Sequence, residues 1–147
     1  MKIKLSRVIK YGDIVDVMNL CSDSFYDQAY NNEASIADLA NKFCNYGIFS
    51  IAKEQNGNIL GFIAYYANDS KNKQGFISMI IVNSSFQNSG VGSLLLHDCI
   101  IKCKKAGMIS LKLEVNKSNK KAISFYKKRG FVQCDESANS IFMMIDL

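Results

Sequence analysis

A chain of 147 residues, 48% of them hydrophobic, is long enough to bury a core and too apolar to stay disordered. No apolar run approaches the ~20 residues that span a bilayer. The first residues alternate polar and apolar without the apolar stretch of a signal peptide, which predicts a cytoplasmic protein with one domain over residues 1–147. The net charge of +5 is unevenly laid out: residues 101–130 hold ten Lys/Arg and one acid, Glu114, whereas residues 11–40 hold six acids and no Lys or Arg. The basic stretch lacks the aromatic interleaving and zinc-finger spacing of a nucleic-acid binder.

Lys2 to Ile9 alternates as a strand does. A helix opens at Gly12-Asp13 and sets Ile14, Val17, Met18, Cys21 and Phe25 on one face. After a polar linker, Asp27 to Glu33, a second helix carries Ile36, Leu39, Ala40 and Phe43, capped by Ser35 or Asn32 and ended by Gly47. Ile48–Glu54 and Ile59–Ala67 read as strands joined at Asn56-Gly57, a hairpin signal. Phe76–Val82 is almost continuously apolar, which predicts a strand buried on both faces. Gly90–Ala106 is the longest helix, and Ile109, Leu111, Leu113 and Val115 alternate with polar residues as a half-buried strand. Ser118 or Asn119 caps a helix over Lys120–Arg129, Gly130 stops it, and Phe131–Cys134 and Ser140–Leu147 form a closing antiparallel pair. The order βααβββαβαββ is α+β with a mostly antiparallel sheet.

The five cysteines are odd in number, contain no CxxC and match no zinc spacing, so Cys21, Cys44, Cys99, Cys103 and Cys134 are predicted as small apolar core residues, and no metal site is expected. His97 falls with Asp98, Lys102, Lys104 and Lys105 on a helix wheel, the solvent side.

The chemistry concentrates in Gln87-Asn88-Ser89-Gly90-Val91-Gly92-Ser93. A glycine turn that opens a helix directs unpaired N–H groups and the positive end of the helix dipole at one point, an anion site suited to phosphate. The dinucleotide fingerprint needs a third glycine where Leu95 stands, and the Walker A loop needs Gly-Lys-Ser/Thr where Gly92-Ser93-Leu94 stands.

Q-x-x-G-x-G directly after a strand does fit. With Leu113-Glu-Val-Asn-Lys-Ser-Asn119 and Ala122-Ile-Ser-Phe-Tyr126 through Phe131 downstream, it resembles the GNAT superfamily of acyl-CoA-dependent N-acetyltransferases. The spelling E-V-x-x-S-N with Tyr seven residues on is similar to that of ribosomal-protein N-terminal alanine acetyltransferases. The resemblance covers about Ile80 to Phe131 by motif and the first 75 residues by element order. It implies the GNAT fold, a mixed, mostly antiparallel sheet of about seven strands flanked by four helices. It also implies that acetyl-CoA lies where the strand 76–82 splays from the strand 109–115. Backbone groups of Ile80, Ile81 and Val82 would bond the acetyl and pantetheine portions, N–H groups from Asn88 through Ser93 would cradle the pyrophosphate, and Asn119 would contact the pantetheine arm. Many members carry Arg or Lys just after the Gln; here that position is Asn88, and Lys120, Lys121 or Lys127 are the candidates to compensate.

Acetyl transfer to an amine needs a neutral nucleophile, a stabilised oxyanion and a proton for the departing thiolate. Glu114 is the candidate general base, directly or through a water; the plainer account makes it a neutraliser of nearby lysines. Tyr126 is the candidate general acid, because a phenol with pKa ~10 and a thiol with pKa ~8.5 are close enough for transfer; ring burial beside Phe125 is its plainer account. A wall bearing Asp23, Asp27 and Glu33 would favour a cationic acceptor, and an ordinary solvated helix face explains the same acids. The partners expected are acetyl-CoA and an amine acceptor (a protein N-terminus, a small amine or an amino-sugar), with no membrane and a monomer or homodimer. Two rival readings are a non-catalytic acyl-CoA-binding module and a nucleic-acid binder using residues 101–130.

Overall fold

In the computed structural model, which describes residues 2–147, the elements are β1 (Ile3–Arg7), α1 (Tyr11–Cys21), α2 (Glu33–Tyr46), β2 (Ile48–Glu54), β3 (Ile59–Tyr66), β4 (Gln74–Val82), α3 (Val91–Lys105), β5 (Ser110–Asn116), α4 (Lys120–Lys128), β6 (Val132–Glu136) and β7 (Ser140–Asp146). The order is the one predicted; β2 has the expected bounds, most other boundaries move by one to three residues, and α1 ends at Cys21, four residues before Phe25, a residue expected on its face. Asn32 is the cap of α2, its side chain accepting from the Ser35 N–H at 2.9 Å. Short 3-10 turns at Ser22–Ser24 and Gln28–Tyr30 occupy the α1–α2 connection. Phe25 lies just past the first of them and is buried, edge-on to Phe62.

The strands form one sheet in the order β1-β2-β3-β4-β5-β7-β6. Among the described residues, β4–β5 is the one parallel pair. β3 explains why the sheet has helices on both sides. Its period of two sends Phe62 and Ala64 into a core with α1 and α2, and Ile63 and Tyr65 into a second core with α3. Phe49 stacks on Phe62 at 4.7 Å between centroids and meets Phe43 of α2 at 6.1 Å, contacts worth about 1 kcal/mol each beyond burial. β7 pairs with β5 on one edge and β6 on the other; Ile141 and Met143 point into the core, and Phe142, Met144 and Ile145 are half-buried.

Two expectations are corrected. β4 is not buried on both faces: Gly75 and Ile77 are buried, but Ser78 to Val82 are only half-buried. The register explains it. Ala64 pairs with Met79 and Tyr65 with Ile77, so Ser78 is an extra residue that bends β4. The pairing of β4 with β5 stops at Ile77↔Leu113, one residue before that bulge. Cys134 is exposed rather than core. It is the extra residue of a second bulge, between Gln133↔Met143 and Asp135↔Phe142, on an edge strand exposed along its whole length. Cys21, Cys99 and Cys103 are buried as predicted, Cys44 is intermediate, and burial pushes the Cys21 thiol up to about 11.

The basic run also finds a structural role. Lys102, Lys104 and Lys105 lie in the last turn of α3 and Lys127 and Lys128 in that of α4, where cations oppose the helix dipole.

Gly61 of β3 holds the bent strand close. A Cβ there would lie 2.3 Å from the Ile81 carbonyl oxygen and 3.1 Å from the Val82 Cα, both backbone atoms that cannot rotate away. Gly61→Ala is therefore expected to destabilise the fold by about 2 kcal/mol, read as a lowered urea midpoint with unchanged slope. A variant as stable as the parent would show that β4 is free to shift outward.

Candidate active site

Beyond the bulge the sheet opens like a V. Ser78–Val82 stay with β3 while Glu114–Asn116 stay with β7, so neither segment has a strand on its facing side. Two cavities adjoin this opening, and Tyr26, Ile80, Ile81, Asn119, Ala122 and Tyr126 line both.

The first, of about 510 Å³, runs from Ile80–Val82 to the start of α3. The loop that shapes it uses two left-handed residues, Asn88 (φ 64°) and Gly90 (φ 86°). Gly90 is also the cap of α3, and having no side chain it leaves the first-turn N–H groups without a side-chain acceptor. Gly92 lies beside the Phe125 ring, at 3.4 Å from where a Cβ would stand, so the first turn of α3 adjoins α4. Gln87, Asn88, Gly90, Val91, Gly92 and Ser93 all line the cavity. Ser89 does not, and its hydroxyl turns back to the Phe86 carbonyl. Gln87 ties elements together instead of standing free: its amide N–H donates to the Val82 carbonyl at 3.3 Å and its oxygen accepts from Lys121 Nζ at 3.0 Å. Asn119 caps α4 through a bond from the Ala122 N–H at 3.3 Å.

Cations stand at the anion end of this cavity despite Asn88. Of the three lysines proposed to compensate, Lys121 lines the cavity and Lys120 and Lys127 do not. Sequence reasoning missed Arg129. Its guanidinium lies 3.7 Å from the Phe125 ring centroid, donates to the Phe125 carbonyl at 2.9 Å and reaches the Ser93 hydroxyl. The available signal was spacing: Arg129 follows Phe125 by four and Tyr126 by three, which places it over both on a helix.

The second cavity, of about 440 Å³, lies between β4, β5 and the α1–α2 connection. Glu114 lines it, one residue past the last β4–β5 pair. Its carboxylate belongs to none of the three ion pairs among the described residues, which are Lys42–Asp38, Lys102–Asp98 and Lys117–Glu136. The lysine-neutralising account of Glu114 thus has no partner to name. Of the predicted acidic wall, Asp27 lines this cavity, whereas Asp23 and Glu33 do not. His97 is exposed on α3 and lines neither cavity.

Tyr126 is 6% exposed and packs edge-on against Phe125 and Phe131, at 5.3 and 5.5 Å. Burial pushes its phenol well above the ordinary value, so the hydroxyl keeps its proton. Over the connection, the Tyr26 hydroxyl and Ser118 Oγ are 2.5 Å apart; Ser118 already donates to Asn116 Oδ1, so Tyr26 is the donor.

With this geometry in place, known proteins can be compared. The model of the acetyltransferase (GNAT) family matches residues 14–131. The chain belongs to that family. An uncharacterized N-acetyltransferase of Methanocaldococcus jannaschii is 37% identical over 82 residues, 53% of this chain and 36% of the relative. The [ribosomal protein bS18]-alanine N-acetyltransferase of Salmonella typhimurium is 40% identical over 52 residues, 35% of each chain. The matched stretches thus span little more than a third of these two relatives. Among solved structures, the PaiA N-acetyltransferase of Thermoplasma acidophilum in complex with coenzyme A superposes with a TM-score of 0.77 at 17% identity, covering 100% of both chains. The seven-stranded mixed sheet with its four helices is the fold of that family.

The ring and the hydroxyl of Tyr126 are separable. Tyr126→Phe keeps the packing and removes a hydroxyl with no hydrogen bond among the described residues, so its unfolding free energy should stay within about 1 kcal/mol of the parent. Tyr126→Ala should cost about 3–5 kcal/mol. A large loss in the Phe variant would mean that the hydroxyl is a structural anchor.

Proposed function

We propose that the protein is an acetyl-CoA-dependent N-acetyltransferase that acts on a primary amine by direct attack. The observation that carries this reading is the junction of the two cavities. One side offers an uncapped helix N-terminus with Lys121 and Arg129, suited to phosphates; the other offers an unpaired carboxylate; Tyr126 lies where they meet. Membership of the family and the coenzyme A held by the Thermoplasma relative support the same assignment. The donor takes the first cavity. Val82, Ile81 and Ile80 extend toward it like a strand lacking a partner, the N–H groups of Asn88 through Ser93 take the pyrophosphate, and Asn119 stands beside the pantetheine arm.

In the reaction Glu114 accepts a proton from the ammonium and passes it to solvent, leaving a neutral amine. The nitrogen lone pair forms a bond to the thioester carbon, and a backbone N–H of residues 80–82 holds the oxyanion. The C–S bond then breaks, Tyr126 gives its proton to the thiolate, and the second proton lost by the nitrogen returns to the phenolate through solvent. The net products are the amide, free CoA and one released proton. Among the described residues no helix is long and apolar enough to cross a membrane. Five free thiols suit the reducing cytoplasm.

An acceptor screen read by CoA release tests the activity. Tyr126→Phe should lower kcat about 100-fold with little change in CoA affinity. Glu114→Gln should lower kcat/KM at neutral pH and recover at alkaline pH, where the amine is neutral without help. Wild-type rates in both variants would remove these roles and favour a binding module. Separately, Arg129→Leu should weaken CoA binding about tenfold by calorimetry, the loss shrinking as salt rises. Unchanged affinity would leave phosphate binding to Lys121 and the backbone.

A further inference from the structure

The second cavity has a composition that the transfer chemistry does not require. It is lined by two carboxylates, Asp27 and Glu114, and by no Lys, Arg or His. Three cations on the neighbouring elements are engaged elsewhere: Lys112 lies over the Phe142 ring at 5.1 Å, Lys117 pairs with Glu136 at 2.9 Å, and Lys121 bonds Gln87. The negative charge facing the cavity is therefore not balanced from within the chain by these lysines.

The two carboxylates come from different walls. Glu114 stands on β5, at the junction with the donor cavity. Asp27 stands on the α1–α2 connection, where its Oδ1 accepts the Ala29 N–H at 2.9 Å; that bond fixes the group and leaves its second oxygen free. The wall also carries the rings of Phe25, Tyr26, Tyr30 and Phe76, surfaces that suit an aliphatic chain and attract ammonium groups. Tyr126 supplies a further sign of an absent ligand, a nine-tenths buried side chain lining the space with its hydroxyl unpartnered among the described residues. The connection is tied across the opening on both sides, by Tyr26 to Ser118 at 2.5 Å and by Ser24 Oγ to the Ser84 N–H at 3.1 Å. Those ties hold the connection, and with it Asp27, in place over the cavity.

We infer that the acceptor is a small aliphatic amine with two ammonium groups, one reacting beside Glu114 and the other held by Asp27. The inference rests on the acetyltransferase reading for the turnover, but not for the binding. A monoamine would satisfy Glu114 alone and leave Asp27 facing the cavity unmatched.

Three probes separate the possibilities: 1,4-diaminobutane, n-butylamine and a short peptide with a free N-terminal alanine. CoA release should show kcat/KM for the diamine about tenfold or more above that for the monoamine, falling as salt screens the charges. Asp27→Asn retains an oxygen to accept the Ala29 N–H and removes only the charge. It should reduce the diamine-to-monoamine ratio about fivefold, with CoA binding retained as proof of folding. Equal rates for the two amines, a ratio insensitive to Asp27→Asn, or turnover of the peptide alone would overturn the inference while leaving the enzyme intact. Calorimetry distinguishes the other failure: diamine binding that depends on Asp27 without CoA release would sink the transferase reading and keep the cavity's ligand class. A diamine that is neither bound nor turned over would overturn the diamine inference itself.

Discussion

One extra residue, Ser78, governs the arrangement of the molecule. A strand in the middle of a sheet normally satisfies both edges along its length. The bulge lets β4 keep β3 as a neighbour through Val82 while it leaves β5 after Ile77. Everything chemical follows from that separation. Backbone groups of residues 78–82 lose a protein partner on one side, Glu114 gains a cavity in place of a neighbouring strand, and α3 begins at the far end of the opening. Gly61 is the counterpart on β3. Its missing side chain admits the Ile81 carbonyl, so the strand that bends away from β5 presses more tightly on β3.

Charge is distributed along the opening in the same order as the chemistry. The first cavity has an uncapped helix terminus, Lys121 and Arg129; the second has Glu114 and Asp27; between them lie neutral groups, Ile80, Ile81, Ala122 and Tyr126. Opposed ends of this kind would orient the two substrates of the proposed reaction, because each repels the other's ligand. Arg129 shows how little such an end needs from a fixed motif position. A guanidinium placed on Phe125 and bonded to a carbonyl one turn back is already ordered, so its side-chain entropy is spent in folding and not in binding.

What could be read from the sequence was what local spacing encodes. The seven strands, the four helices, the Gly90–Gly92 turn, the cap at Asn119 and the alternation that places Glu114 on a polar face all depend on neighbours within a few residues. What could not be read depends on register. A slip of one residue turns a side chain to the opposite face. So the bulge at Ser78 half-exposed a strand expected to be buried on both faces, and Cys134, expected in the core, is exposed because it lies on an edge strand with no buried residue. The acidic stretch failed for a related reason. Composition grouped Asp23, Asp27 and Glu33 together, whereas the 3-10 turn over Gln28–Tyr30 turns Asp27 alone to the cavity.

Tyr126 unites the two kinds of residue. As a sequence position it invited a choice between a core ring and a proton donor, and a buried ring that lines both cavities is compatible with both. Phe125 and Phe131 hold the ring edge-on and exclude water from it. The same burial raises the phenol's pKa and keeps it protonated. In the proposed reaction the phenol therefore holds its proton until the C–S bond breaks, when the departing thiolate becomes the acceptor. Packing that fixes the ring thus sets where the hydroxyl stands and keeps it protonated, which is what the proposed role as proton donor requires.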